Sequence, residues 1–201
     1  MHNYFFAYKP FQVLSRFSTA DGRQTLKDFF TVPGDVYPVG RLDYDSEGLL
    51  ILSNDALLNN QLLHPDFAHE REYRVQVEGI AGPEAIARLE SGPRISIEGK
   101  PYKTRPCKAG ILLPAPQVPE RNPPIRFRKN IPTSWISLVL TEGKNRQVRK
   151  MTAAVGLPTL RLIRHRIGAI TLDRLQPGEM IRMKQEEVYM RLGLIPGGNK
   201  K

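Results

Sequence analysis

The sequence predicts an α+β fold. Segments that alternate every two residues are interspersed with segments punctuated like helices, and no regular strand–helix–strand rhythm orders them. A length of 201 residues is enough for one full core, or for two small ones sharing a cleft. Apolar content of 40% and charged content of 25% are ordinary for a globular chain.

Taken in order, "YFFAYKP" reads as a first strand stopped by Pro10. "GRQTLKDFF" fits a short helix with Leu26, Phe29 and Phe30 on one face, ended by Pro33-Gly34. "DALLNNQLLHP" is a helix capped by Asn54 or Asp55 and followed by Pro65. "REYRVQVEG" alternates as a strand, with Tyr73, Val75 and Val77 on one face. "GPEAIARLESG" has Pro83 in a first helical turn and Gly92 just past the end. "SWISLVLTEG" returns to strand, with Ile136, Leu138 and Leu140 sharing a face. In "EGKNRQVRKMTAAVGLP" Asn145 caps a helix, Gly156 and Pro158 end it, and Val148, Met151 and Val155 form its buried stripe. "IGAITLDRLQPGEMIRM" suggests short strands about a Pro-Gly turn. There is no internal repeat.

The formal net charge of +10 points to a polyanionic partner, with nucleic acid leading and an anionic membrane as rival. The rival wants a basic amphipathic helix or a lipidation signal, and neither is plain. No run of about 18 apolar residues is present, and the N-terminus lacks the pattern of a secretory signal. Cys107 is the only cysteine, so no disulfide closes within the chain and no all-cysteine zinc site forms. The expected setting is a soluble protein of the reducing cytoplasm.

Three acids stand together in "GRLDYDSEGLLILSND": Asp43, Asp45 and Glu47, with Arg41 upstream. Their spacing matches the opening of a calcium loop, but its twelfth position, a bidentate Glu in such loops, is Asn54. A magnesium site would need further carboxylates, and no second acidic cluster of that density exists. His64 and His69 flank a turn without nearby thiols and read as ordinary surface histidines. A solvated acidic turn accounts for Asp45 and Glu47. Asp43 lies between Leu42 and the apolar run from Leu49, at the edge of a core, where a carboxylate loses solvation and needs a partner to stay charged.

Basic residues gather later. Arg146, Arg149 and Lys150 lie opposite the buried stripe of their helix, where cations near the positive end of the dipole cost roughly 0.3–1 kcal/mol each. Bound anions, from RNA phosphates or a protein carboxylate, would offset that cost; a basic face kept for solubility is the other reading. Arg161, Arg164, His165 and Arg166 follow. Between Pro106 and Pro132 seven prolines exclude a central strand or a helix interior, and Arg121, Arg126, Arg128 and Lys129 surround Phe127. That segment is either a solvated connection between two half-domains or a semi-extended basic arm suited to single-stranded or looped RNA.

These segments resemble the RNA pseudouridine synthases of the ribosomal small-subunit/large-subunit branch. "GRLDYDSEGLL" is similar to that family's catalytic motif G-R-L-D-x-x-[S/T]-x-G-L-L, and "REYRV" to its K-x-Y-x-V motif, with Arg71 in place of Lys. "EGKNRQVRKM" is similar to its third motif and "LRLIRHRIGAITL" to the segment closing the active-site wall. "RNPPIRFRKNIPTSW" is most similar to members that act on large-subunit (23S) ribosomal RNA. The resemblance implies a mixed, largely antiparallel central sheet flanked by helices, with two half-domains around a catalytic cleft. It implies one catalytic domain over residues 1–193 with the arm at 106–132, a flexible tail at 194–201, and no N-terminal accessory RNA-binding domain.

The same resemblance makes Asp43 the catalytic aspartate, Tyr73 the ring packing on the target base, Arg149 the basic partner of Asp43, and Arg41 a residue near the displaced nucleotide. RNA contacts would come from Arg71, Lys144, Arg146, Lys150, Arg161, Arg164, Arg126 and Arg128. The implied reaction isomerises uridine, with Asp43 as nucleophile or as base in a glycal route, in a monomer needing neither cofactor nor metal. The main alternative is a non-catalytic factor that binds ribosomal RNA or assists ribosome assembly, for which Asp43 and Tyr73 have no special use; a calcium-binding module is a third.

Overall fold

The computed structural model describes residues 2–64, 67–125, 131–172 and 174–195. The fold is α+β with largely antiparallel strands, and the chain forms two compact units: Met1–His69 with Arg164–Lys201, and Glu70–Ile163. The basic arm's Arg126 and Arg128, and residues 196–201 of the tail, lie outside the described residues.

In the first unit, strand β1 (Tyr4–Lys9) pairs antiparallel with β3 (Glu47–Ser53) on one side and with β11 (Met180–Arg182) on the other. The short β2 (Tyr37–Val39) adds to β3. Every residue of β1 and β3 is buried. Burial on both faces is why "YFFAYK" and "LLILS" are continuous apolar runs rather than alternating ones. Phe5, Ala7, Leu50 and Leu52 pack against Val13, Leu26, Phe30 and Val36 on one side of this sheet.

The helix expected over "GRQTLKDFF" shrinks to a single 3-10 turn, Leu26–Asp28. The Asp28 carboxylate caps it by accepting the Thr25 N–H at 2.7 Å. Phe29 then leaves helical geometry, and Pro33 biases the residue before it toward an extended backbone, so no second turn fits. Leu26 and Phe30 are buried as expected, whereas Phe29 is 36% exposed.

Helix α1 (Ala56–Leu63) begins at Asp55, whose Oδ1 accepts the N–H groups of Leu57 and Leu58 at 3.0 and 3.1 Å. Its Oδ2 accepts the hydroxyls of Tyr4 at 2.6 Å and Tyr189 at 2.7 Å. One buried carboxylate thus fastens β1, α1 and the C-terminal helix α4 (Gln185–Leu192). The two tyrosine rings meet edge to face, with centroids 6.3 Å apart.

In the second unit, β8 (Thr133–Leu140) is the centre of a three-strand array. Strand β4 (Arg71–Glu78) lies on one side and β7 (Lys108–Ile111) on the other, both antiparallel. β7 falls inside the proline-rich segment but at the sheet edge, where prolines on either side of it are tolerated. A separate hairpin pairs β5 (Arg94–Ile97) with β6 (Lys100–Lys103). Helices α2 (Pro83–Glu90) and α3 (Gln147–Ala154) cover the array. Leu89, Val148, Met151 and Val155 join Val75, Val77, Ile95, Ile136, Leu138 and Leu140 in one cluster. The alternation read in β4 and β8 and the stripe read in α3 are thus the core-facing positions. Strand β9 (Thr159–Ile167) carries residues of both units, and β10 (Ile170–Thr171) folds back on it. Among the described residues no helix is long and apolar enough to cross a membrane.

Burial alone would raise the Asp55 carboxyl, but the Tyr4 and Tyr189 hydroxyls and the Leu58 N–H outweigh it, so its pKa is held below the ordinary value. A depressed carboxyl stabilises the fold above its unfolded pKa, and that support is lost as pH falls through the lower folded value. Asp55→Ala removes the cap and orphans two buried hydroxyls. Urea denaturation at neutral pH should show a loss on the order of 2–4 kcal/mol. The gap between wild type and variant should narrow in acid.

Candidate active site

Asp43 sits in the turn that leads into β3, and the turn is held at both ends. The Ser46 N–H donates to the Asp43 carbonyl at 3.0 Å. On the other side, the Ser15 hydroxyl donates to the Leu42 carbonyl at 2.8 Å and accepts the Leu42 N–H at 3.0 Å. Ser15, Leu42 and Ser46 are buried while Asp43 is half-buried, so a rigid backbone presents its carboxylate. Gly48, at φ +112°, closes the motif where a Cβ would meet the Arg164 backbone N at 2.6 Å. That close approach explains the glycine within "SEGLL".

The companion acids differ from one another. Asp45 is half-buried, but Glu47 is 2% exposed on β3, so the reading of Glu47 as a solvated turn residue is replaced by a buried one. Their setting includes a cation that sequence reasoning missed. Lys9, at the end of β1, is fully buried, and its Nζ donates to the carbonyls of Pro10 at 2.9 Å and Val13 at 2.7 Å. Burial pushes its pKa down to about 7, against the pull of the Glu47, Asp45 and Asp43 carboxylates and with a small push from Arg164. The only sequence signal was a lysine closing an otherwise apolar strand. Arg164 is itself 4% exposed and donates from Nε to the Leu49 carbonyl at 2.8 Å. Arg41 is exposed, and the ring of Tyr44 lies under the Arg23 guanidinium at 5.3 Å.

In the second unit, Tyr73 lies on β4 opposite Leu138 and packs half-buried on the core cluster; Arg71, opposite Leu140, is half-buried too. The loop before α3 is organised by Glu142. Its carboxylate accepts the Tyr102 hydroxyl at 2.6 Å, the Arg105 N–H at 2.9 Å and Gln147 Nε2 at 2.6 Å. Gln147 in turn accepts the Lys144 N–H at 2.9 Å.

The expected Asn145 cap is displaced by one residue. The position belongs to Arg146, in the left-handed region at φ 53°, because the Gln147 side chain has already turned the loop. Lys144 and Arg146 are exposed, and Lys144 Nζ stands 5.2 Å from the Tyr102 ring centroid. Arg149 and Lys150 are half-buried on α3. Arg161 and His165 are buried like Arg164, so the C-terminal cations do not form an open basic face.

His64 is exposed and stacks edge-on against Phe67, which lies parallel to His69. Among the described residues no group of three or more His, Cys, Asp or Glu converges to hold a metal ion. The Cys107 thiol is pushed up to about 11 by burial, which makes it a poor nucleophile at neutral pH.

A family model described as RNA pseudouridylate synthase matches residues 3–154, from β1 through α3. The chain belongs to that family. It is an RNA pseudouridine synthase, an isomerase. A relative from Xanthomonas axonopodis pv. citri, named ribosomal large subunit pseudouridine synthase E, is 49% identical over 84% of this chain and 87% of its own. One of the same name from Vibrio parahaemolyticus is 48% identical over 85% of this chain and 69% of its own. A ribosomal large subunit pseudouridine synthase B from Bacillus subtilis is 38% identical over 97% of this chain and 73% of its own. A crystal structure of a pseudouridylate synthase superposes with a TM-score of 0.76 at 25% identity, covering 95% of this chain and 74% of that one. For this synthase, the matched span contains Asp43, Tyr73, Arg149 and Arg41.

Lys9 gives a pH signature. An unfolded lysine titrates near 10.4, and the folded one near 7. Between these values the unfolded chain holds a proton that the folded chain does not, so stability rises with pH. Urea midpoints of wild type measured from pH 7 to 9 should therefore climb, and those of Lys9→Met should stay flatter. Parallel profiles would show that Lys9 is charged in the fold throughout.

Proposed function

We propose that this synthase isomerises a specific uridine of large-subunit (23S) ribosomal RNA to pseudouridine, with Asp43 as its reactive carboxylate. The single observation that supports the substrate most is near-half identity over most of the chain with relatives named for the large ribosomal subunit. The reaction breaks the N1–C1′ bond, turns the loose uracil and joins C5 to C1′. The C5 proton is lost and N1 gains one, so nothing is oxidised and no group passes to water.

The roles are those that the motif resemblance implies. A carboxylate on a backbone pinned at Leu42 and Ser46 keeps its aim without reorganising. It acts as the nucleophile at C1′, or as the base in a glycal route. Tyr73 supplies an aromatic face for the freed base. Arg149 keeps Asp43 ionised, and Arg41 stands near the displaced nucleotide. Extruding the uridine costs a few kcal/mol, less in a loop. Phosphate contacts from Arg71, Lys144, Arg146 and Lys150 offset that cost and weaken with salt. Arg126 and Arg128 of the arm belong to the same set. The setting is a cytoplasmic monomer working without a cofactor.

Unmodified large-subunit rRNA incubated with wild type should acquire a pseudouridine stop in primer extension after chemical labelling. Asp43→Asn should bind the RNA with wild-type affinity and produce no stop; turnover near wild type in that variant would remove Asp43 from the chemistry. Arg149→Ala should lower turnover, because Asp43 loses the cation proposed to keep it ionised. That loss should shrink when Arg149→Ala is combined with Asp43→Asn, and additive losses would count against their pairing.

A further inference from the structure

The hairpin β5–β6 carries charge that the fold does not use. Its register places Arg94 directly opposite Lys103, and both are exposed. Like charges on facing positions of an antiparallel pair repel and destabilise it. Lys100 opens β6 opposite Ile97, on the other face of the hairpin, and Arg105 follows β6. Across residues 93–105 these four cations face one carboxylate, Glu98, at the hairpin tip. Among the described residues neither Arg94, Lys100, Lys103 nor Arg105 forms an ion pair. Ile95 and Tyr102, the pair next to Arg94 and Lys103, turn the other way and pack on the core cluster. The cationic face is therefore held outward by its own apolar face.

The hairpin is also held in place. At its root the Thr104 hydroxyl donates to the Pro93 carbonyl at 2.9 Å, and Gly92, at φ +71°, lies where a Cβ would strike the backbone of Thr104 and Arg105. Tyr102 and the Arg105 N–H both bond to Glu142. Glu142 belongs to the loop that carries Lys144 and Arg146. The cations of the hairpin are thus fixed to the basic segment before α3.

We infer that the β5–β6 hairpin is an RNA-backbone clamp, in which Arg94 and Lys103, with Arg105 beside them, receive phosphates of the substrate. This rests on the reading of the protein as an rRNA-modifying enzyme. A polyanion lying across the face would turn the repulsion between Arg94 and Lys103 into shared attraction, which makes an outward, pre-positioned pair useful for binding. Charges kept only to stop edge-to-edge strand pairing would serve solubility and leave RNA affinity alone.

The test measures binding of full-length protein to an unmodified large-subunit rRNA transcript between about 50 and 200 mM salt, together with turnover. Arg94→Ser with Lys103→Thr should fold with a Tm no lower than wild type, because repulsion is relieved. Each lost phosphate contact removes roughly 0.7–0.9 from the slope of log affinity against log salt, so this double variant should be shallower by about 1.4–1.8. KM should rise while kcat stays within about twofold. Arg94→Lys with Lys103→Arg should keep the wild-type slope. An unchanged slope in the first variant, or an equal loss in the second, would overturn the clamp. Asp43→Asn, assayed alongside, separates the two readings: if it still turned over RNA, the catalytic assignment would fail while the slope measurement stood. A wild type without affinity for the transcript would remove both.

Discussion

A lysine buried at the end of β1 is the constraint on which the first unit's acidic turn depends. Lys9 has no solvent to stabilise its ammonium group, only two backbone carbonyls and the field of the acids that follow in the motif. Burial favours the neutral amine and the acids favour the ammonium, so the group changes charge near pH 7 within a fixed set of hydrogen bonds. The acids are Glu47, Asp45 and Asp43, with Arg164 acting against them. The alternation of acids that looks like a metal loop in the sequence is thus tied to a strand end, and Glu47 is committed to the interior by its place on β3. A carboxylate placed for chemistry needs such a frame, because any slack in its backbone would be paid again in every encounter with substrate.

The second unit solves a comparable problem with a carboxylate at its centre. Glu142 gathers a tyrosine hydroxyl, a backbone N–H and a glutamine amide, and these fix the loop ahead of α3. Arg146 adopts a left-handed backbone there, a conformation that a non-glycine residue keeps only when its surroundings enforce it. The basic residues of that loop are consequently displayed on rigid ground, which lowers the ordering entropy lost when they meet a polyanion.

Much of this was legible locally. The strands β4 and β8 and the stripe Val148, Met151 and Val155 follow from periodicity, and a cap at Asn54 or Asp55 follows from residue type, with Asp55 chosen by the fold. The turn that bears Asp43 was legible as a motif. Other features depended on long-range packing. Arginine is by default a surface residue, so Arg161 and Arg164 read as part of an open basic region, yet both are buried in β9. Asn145 is the better intrinsic cap, but the Gln147 side chain reaches the Lys144 N–H first and moves the helix start. The helix over "GRQTLKDFF" failed for a local reason that periodicity ignores: a cap at Thr25–Asp28 and a proline at 33 leave room for one turn only.

The sequence by itself determined the α+β class, the order of most elements and the family, because these are carried by residue types at short spacing. Tertiary structure alone decided which charges are buried and which are displayed. Lys9 and Glu47 went inside because their strands are covered on both faces. Arg94 and Lys103 went outside because their neighbours Ile95 and Tyr102 claim the core. Solvation of a charged group is a property of everything packed around it, and that is assembled only when distant segments of the chain meet.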